Sequence, residues 1–183
     1  MSIYGTTMNR INLDDTRFIY STNFSGDPAR DRFGDDRRKC NIIIPSEEQA
    51  KDMTKAGFKV KSTRPRENDD PNTFVPEYYV VAQVKYRKRD KQPVKYPPMV
   101  YLVTGNNQPV ALNEETVGCL DQIRVKNVNA ILSPYETENG GLSLYVRTMY
   151  VEQDMDDDPY RARYARPAAD EVPPYDDEDE APF

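Results

Sequence analysis

The sequence predicts a mainly all-β protein: an OB-fold-like, five-stranded barrel with one or two short helices, followed by a disordered acidic C-terminal tail. Short apolar runs with strand-like alternation recur between residues 40 and 151, and no long helical periodicity separates them. Beyond Glu152 the apolar periodicity disappears. The missing long helices disfavour a doubly wound α/β fold, whereas a β-sandwich would give nearly the same series of strands.

The first third of the chain contains the expected helix. Residues 1–37 are irregular except for the apolar group at residues 18–20, which predicts a short strand before a polar loop at residues 25–36. The β-branched run at residues 39–44 predicts a second strand. Ser46 followed by Gln49 predicts a capped helix that ends at Gly57. Residues 58–63 then alternate as a strand before a polar loop.

The remaining strands follow from alternation and turn signals. Residues 75–88 form the longest candidate, and a basic, proline-containing connection leads from it to residues 99–104, which predicts a long hairpin. Asn113 is expected to cap a short helix that ends near Gln122. Two further runs, 124–132 and 142–151, flank Asn139-Gly140, a strong hairpin-turn signal.

Charge divides the chain into two parts. Residues 152–183 hold 12 acids and 3 bases, a net charge of −9, whereas residues 1–151 hold 19 acids and 22 bases, a net charge of +3. The division predicts a binding domain at residues 1–151 and a disordered linker with an acidic tail at residues 152–183. A mildly basic domain favours an anionic ligand, for which the tail can compete.

The composition disfavours an enzyme. The chain has no histidine, and Cys40 and Cys119 lack the spacing of a zinc site, so neither a Cys/His metal centre nor a serine triad is expected. We therefore predict no catalytic residue, no metal and no cofactor. Residues 1–5 lack the pattern of a secretion signal and no window resembles a membrane span, which predicts a cytoplasmic protein without a membrane partner.

Cations and tyrosines alternate on the strand faces that are predicted to lie opposite the core, and more cations lie in the loops. Single-stranded nucleic acid requires this pairing, because cations follow the phosphates while exposed rings stack on bases. The alternative is that the rings are core or edge residues and the cations an ordinary charged surface. The predicted DNA-binding residues are Lys59, Lys61, Arg64, Arg66, Tyr79, Lys85, Arg87, Lys88, Arg89, Lys91, Lys95, Tyr96, Tyr145 and Arg147.

The chain ends in an acidic run followed by Ala-Pro-Phe. An aromatic ring beside carboxylates suits a small apolar pocket that is rimmed by Lys or Arg on a partner. The predicted partner-binding residues are Asp176, Asp177, Glu178, Asp179, Glu180, Pro182 and Phe183.

The tip resembles that of single-stranded-DNA-binding proteins of bacteria and tailed phages, and the order of features resembles the phage OB-fold members across nearly the whole chain. The run from Leu120-Asp121 to Pro134 and the segment 139–142 also resemble the phage group. The chain has no tryptophan and no Gly/Gln-rich linker, so the tetramer and wrapping modes of bacterial members are not expected to transfer.

The resemblance implies a non-catalytic protein that coats single-stranded DNA without strong sequence preference in phage replication, recombination and repair, in the cytoplasm of a bacterial host. It also implies that Pro182 and Phe183 insert into pockets of replication or recombination proteins such as a polymerase, helicase, primase or nuclease. Homo-oligomers are compatible with this class, and the sequence does not fix their size.

Two other classes stay open. One is a nucleic-acid mimic or assembly chaperone whose acidic tail is the active element. The other is a carboxylate-metal nuclease, although its candidate acids lie mostly in turn-like segments where Asp is expected. Those candidates are Asp14, Asp15, Asp35, Asp36, Asp69, Asp70 and Glu77, with Lys85 nearby.

Overall fold

The structure, a computed structural model, describes residues 10–155; residues 1–9 and 156–183, including the predicted partner-binding tip, lie outside the described part. Short 3-10 helices lie at Pro28–Arg30 and Val117–Gln122. The regular elements are β1 (Ile11–Thr16), β2 (Lys39–Ile43), α1 (Glu47–Lys55), β3 (Lys61–Ser62), β4 (Tyr78–Gln83), β5 (Met99–Thr104), β6 (Val110–Leu112), β7 (Val125–Glu136) and β8 (Leu142–Gln153). Within the described part, no helix is long and apolar enough to cross a membrane.

Five strands form the barrel, in the order β1-β7-β8-β4-β2. The segment after β1 returns along β2: Ile19 N donates to Asn41 O at 3.0 Å and Ile43 N donates to Arg17 O at 3.0 Å. These bonds close the sheet around an apolar core. The predicted all-β, OB-like class is confirmed, and β3, β5 and β6 are additional strands attached to this path.

Strand β8 organises the sheet because three strands pair with it. It is antiparallel to β7 along nearly its whole length, its first part is parallel to β4 and its second part is parallel to β5. On β4, Val80 and Ala82 point into the core and are fully buried, and Val84, just past its end, is buried with them, as the alternation predicts. Tyr78 and Tyr86 pack against the core at its margin and are half-buried.

Several local predictions are confirmed. The hydroxyl of Ser46 accepts a hydrogen bond from Gln49 N at 3.3 Å at the start of α1. Gly57, which follows the helix, has a φ of +100°, a conformation that glycine adopts at little cost. The β7–β8 hairpin turns through Gly140, whose φ is +78°.

The first strand was placed wrongly. The regular strand is β1 at Ile11–Thr16, whereas residues 18–20 contact β2 through one isolated bridge, between Phe18 and Ile42, and the Ile19 hydrogen bond. Ile11 and Leu13 are fully buried, but the acidic pair that follows them and the positive φ of Asp15 interrupt the alternation. The strand signal is therefore too short to recognise without its partner, β7.

The predicted hairpin of residues 75–88 with residues 99–104 is also wrong. β4 and β5 do not pair with each other, since both lie beside β8, and β5 pairs on its other side with β6. A local hairpin forms inside the connection instead: Lys88 N donates to Gln92 O at 2.8 Å and Val94 N donates to Tyr86 O at 3.0 Å. β4 and β5 therefore pair with the distant strand β8 rather than with each other, although they are neighbours in sequence.

The helix predicted from Asn113 begins later. The Asn113 side chain accepts hydrogen bonds from Glu115 N at 2.9 Å and Thr116 N at 3.0 Å, which stabilises a turn. A 3-10 helix then starts at Val117 and carries Asp121 near its end.

Candidate nucleic-acid interface

An open groove of about 1030 Å³ lies where the segment after β4, the local hairpin of the basic connection and the β7–β8 turn meet. Its lining includes seven cations and four carboxylates, so the wall is net positive. The cations are Arg37, Arg38, Lys85, Arg87, Lys88, Arg89 and Lys91, and the carboxylates are Asp36, Glu114, Glu136 and Glu138. The groove therefore favours an anionic ligand.

Two stacked tyrosines form one side of the groove. The rings of Tyr135 and Tyr145 lie with centroids 3.8 Å apart and an interplanar angle of 6°. Ser133 is the direct partner of Tyr145, so Tyr135, two residues further along β7, projects from the same face. Burial raises the pKa of the Tyr135 hydroxyl, so this hydroxyl stays uncharged at physiological pH. The pair presents a rigid aromatic surface to the groove.

Lys85 joins this aromatic pair to the cations. Its Nζ lies 5.4 Å from the centroid of the Tyr145 ring and donates to the Tyr145 hydroxyl at 3.3 Å. Single-stranded DNA needs a ring on which a base can stack and a cation for its phosphate. Tyr145 and Lys85 together provide both.

Tyr86 lines the same groove. Its hydroxyl is buried and has no hydrogen-bond partner within the described residues, and burial raises its pKa to about 12. The Arg38 guanidinium lies 5.6 Å from the Tyr86 ring and donates to Phe24 O at 2.6 Å. Tyr86 therefore belongs to both the core margin and the groove wall.

The groove cations differ in how far they are neutralised. Arg87 binds the Glu114 carboxylate at 2.8 Å, which raises the pKa of Arg87, and it also donates to Lys91 O at 2.9 Å. Arg89 lies 3.7 Å from Glu138, with both side chains almost fully exposed. Lys88 and Lys91 form no ion pair within residues 10–155. These two lysines keep their charge available to a phosphate.

The structure gathers six of the predicted DNA-binding residues into the groove and separates the others. Arg66 lies in an exposed loop, and Arg147 is exposed on β8. Lys95 lies 5.4 Å from the ring of Tyr96, which is 82% exposed. The six groove residues are Lys85, Arg87, Lys88, Arg89, Lys91 and Tyr145.

A second cluster contains four more predicted residues. Lys61 is the cross-strand partner of Tyr79, whose ring centroid lies 5.4 Å from that of Tyr20. Burial raises the pKa of Tyr79, and the nearby charge of Arg64 opposes that shift. Lys59 and Lys61 line a small cavity of about 180 Å³ whose other walls are mainly apolar.

The sequence missed several groove residues. The sequence predicts that the strand beginning at residue 124 ends near residue 132, which places Tyr135 in the following turn. In the structure β7 extends to Glu136, so Tyr135 is a strand residue. Continuing the alternation past Leu132 would have placed Tyr135 opposite the core. Arg37 and Arg38 immediately precede β2, and their position beside the groove depends on the β2–β4 pairing.

Five of the seven candidate nuclease acids have a hydrogen-bond or ion-pair partner in the described part of the protein. Asp15 accepts from Asn127 Nδ2, Asp35 pairs with Arg37 at 2.9 Å and Glu77 pairs with Arg17 at 2.6 Å. Asp69 and Asp70 accept backbone N–H bonds of their own turns. Among residues 10–155, no group of three or more His, Cys, Asp or Glu side chains is arranged to hold a metal ion.

Comparison with known proteins gives a family match over nearly the whole chain. The model described as "Putative phage ssDNA-binding domain" matches residues 3–180. The solved single-stranded DNA-binding protein of bacteriophage Enc34 is similar at 10% identity, with a TM-score of 0.44 over 81% of this chain and 83% of that one. Gp2.5, a single-stranded DNA-binding protein of bacteriophage T7, is similar at 12% identity, with a TM-score of 0.36 over 87% and 96%. No curated protein matches the chain at a significant level.

Proposed function

The chain belongs to the phage single-stranded-DNA-binding domain family, and from this premise we propose that it coats exposed single strands without strong sequence preference during phage replication, recombination and repair. The observation that carries the proposal is the stacked Tyr135–Tyr145 pair with Lys85 beside it in a net-positive groove. A base stacks against the tyrosine pair while Lys88 and Lys91 meet the phosphates. Stacking and phosphate contacts tolerate any base, so they give affinity with little sequence preference.

The proposed division of labour follows the charge. Residues 1–151 bind DNA, and residues 152–183, with a net charge of −9, compete for the same cations and recruit replication proteins through Asp176–Glu180, Pro182 and Phe183. The protein itself performs no catalysis in this proposal. Labelled single-stranded DNA incubated with the protein and Mg²⁺ should therefore stay uncut, and metal-dependent cleavage would favour the nuclease instead.

The groove is tested by Tyr145→Ala. Loss of one stacking ring should weaken binding to fluorescent oligo-dT by about 1–3 kcal/mol, measured by anisotropy at low salt. Phe33→Ala is a matched control, because Phe33 is 85% exposed and does not line the groove. Equal affinity of the Tyr145→Ala variant and the wild type would contradict the proposed groove.

Competition by the tail is tested by removing residues 156–183. This deletion leaves β8 intact and removes 10 acids and 3 bases, a net charge of −7. The truncated protein should bind oligo-dT more tightly, and the gain should shrink as salt screens the charges. An unchanged affinity at low salt would show that the tail does not compete.

Partner recruitment is tested separately by deleting Phe183 alone. The deletion leaves the acidic run in place, so the affinity for oligo-dT should change little. Capture of purified replication enzymes on immobilised protein should be lost, because the ring that fills the partner's apolar pocket is gone. Undiminished capture would refute a role for the tip.

A further inference from the structure

A β-bulge in β8 changes which side chains face outward. Val146 pairs with Leu132 and Thr148 pairs with Ile131, so Arg147 is an extra residue without a partner on β7. The buried residues of β8 are Leu144 and Val146 before the bulge and Met149 and Val151 after it. As a result, Tyr145 and Tyr150 both lie on the face opposite the core, although strict alternation would place them on opposite faces.

Tyr150 belongs to a second stacked ring pair. It is the register partner of Tyr101 on the parallel strand β5, and the two ring centroids lie 4.7 Å apart at an interplanar angle of 14°. Tyr150 is 41% exposed, so part of this pair is open to solvent. The two ring pairs therefore occupy two positions along one strand, on the same side of the sheet.

The two ends of the basic connection join the sheet between the two ring pairs. Gln83, at the end of β4, is in register with Tyr145, and Met99, at the start of β5, is in register with Thr148. The connection therefore leaves and rejoins the sheet on either side of Arg147. Arg147, which is exposed at the bulge, is thus the cation at the midpoint of a path that runs from Tyr145 to Tyr150.

We propose that Tyr101 and Tyr150 form a second base-stacking site and that the bound strand follows β8 from one ring pair to the other, with Arg147 at a phosphate between them. This inference rests on the proposed function and extends it. Because Arg147 is an extra residue, Tyr145 and Tyr150 lie four register steps apart, which is about 13 Å, and a stacked nucleotide rises about 3.4 Å. The two ring pairs are thus separated by several nucleotides, and a short oligonucleotide will reach only one of them.

The alternative interpretation of this surface is a contact between two copies of the chain. Met99 is 54% exposed and, two residues before Tyr101 on β5, projects from the same face as Tyr101. DNA binding is favoured because coplanar rings on a cation-bearing face suit bases. A contact between copies would instead depend on all the apolar side chains of the patch.

The test compares Tyr150→Ala, Tyr150→Phe and Met99→Ala in the full-length protein. Affinities for oligo-dT of about 4 and about 16 nucleotides, the range of site sizes for one OB fold, are measured together with the sedimentation coefficient and the thermal midpoint. We expect Tyr150→Ala to weaken binding of the longer oligonucleotide roughly 5-fold or more and to leave the shorter one nearly unchanged. Tyr150→Phe keeps the ring and should bind like the wild type, as should Met99→Ala.

Wild-type affinity of Tyr150→Ala for the longer oligonucleotide would overturn the second stacking site. A parallel loss of self-association in Tyr150→Ala and Met99→Ala would overturn it too, in favour of a contact between copies. Tyr145→Ala separates the two proposals. If it weakens binding while Tyr150→Ala does not, only the second site fails; if neither weakens binding, the proposed function fails with it.

Discussion

Two polar segments, residues 22–38 and the basic connection between β4 and β5 at residues 84–98, use their cations in different ways. The first holds four cations and four acids, and the second holds six cations and one acid. In the first, the fully buried carboxylate of Asp121 accepts hydrogen bonds from Phe24 N at 2.8 Å and Ser25 N at 2.9 Å. Arg30 Nε lies 3.4 Å from the same carboxylate. Lys39, directly after the segment, binds Asp31 at 2.7 Å. This segment is pinned to the barrel by its charges.

The basic connection has few such anchors. Arg87 is held by Glu114, but Lys88 and Lys91 form no ion pair within residues 10–155, and the Arg89–Glu138 pair is exposed. Exposed ion pairs contribute little to stability. The comparison teaches that the count of Lys and Arg in a loop does not predict a binding surface. A cation is available to a ligand only where no carboxylate of the fold is already paired with it.

The largest effect is expected from Asp121→Ala, which removes the anchor of the first segment. The backbone N–H groups of Phe24 and Ser25 and the Thr22 hydroxyl lose their acceptor. The free energy of unfolding should fall by about 3 kcal/mol, because buried hydrogen bonds to a charged group are costly to lose. Urea denaturation measures this. A loss within error of zero would show that the segment does not depend on Asp121.

A smaller effect, on DNA binding rather than on stability, is expected from replacing both Lys88 and Lys91 by Gln. If each lysine neutralises one phosphate, the slope of log K against log salt should decrease in magnitude by about 1.4. The matched control is Arg30→Gln in the pinned segment, which should lower stability and leave the slope unchanged. Equal slopes for the double variant and the wild type would mean that these lysines do not contact the strand.

The smallest effect is a pH dependence of the pinned segment. The hydrogen bond from Lys39, together with the backbone N–H groups of Asp35 and Phe33, lowers the pKa of Asp31 to about 2. The pKa is lower in the folded state than in the unfolded chain, so the ionised form stabilises the fold. That contribution is present above about pH 4 and is lost as the pH falls towards 2.

Urea unfolding of the wild type and Asp31→Asn between pH 7 and pH 2 measures this contribution. The advantage of the wild type should be constant near neutral pH and shrink as the solution is acidified. A difference that does not vary with pH would show that Asp31 acts through its shape rather than through its charge.

Much of the strand content could be read from alternation, as in β4, β5 and the β7–β8 hairpin, because each of these runs carries its own period and turn signal. Strand partners could not be read in this way. β4 and β5 are neighbours in sequence, yet both pair with β8, because each pairs with a different part of this long strand. Tyr135 was missed for a similar reason: its strand is extended by pairing with β8 beyond its own apolar pattern.

By itself, the sequence determined the OB-like class, the separation of a basic body from an acidic tail, and the pairing of tyrosines with cations. These features depend on local periodicity and on composition, which each segment carries alone. Only the tertiary structure decided which cations remain unpaired, that Tyr135 stacks on Tyr145, and that a bulge at Arg147 turns Tyr150 to the same face as Tyr145. Such features arise where distant segments meet, because an extra residue or a neighbouring carboxylate acts only once its partner strand is in place.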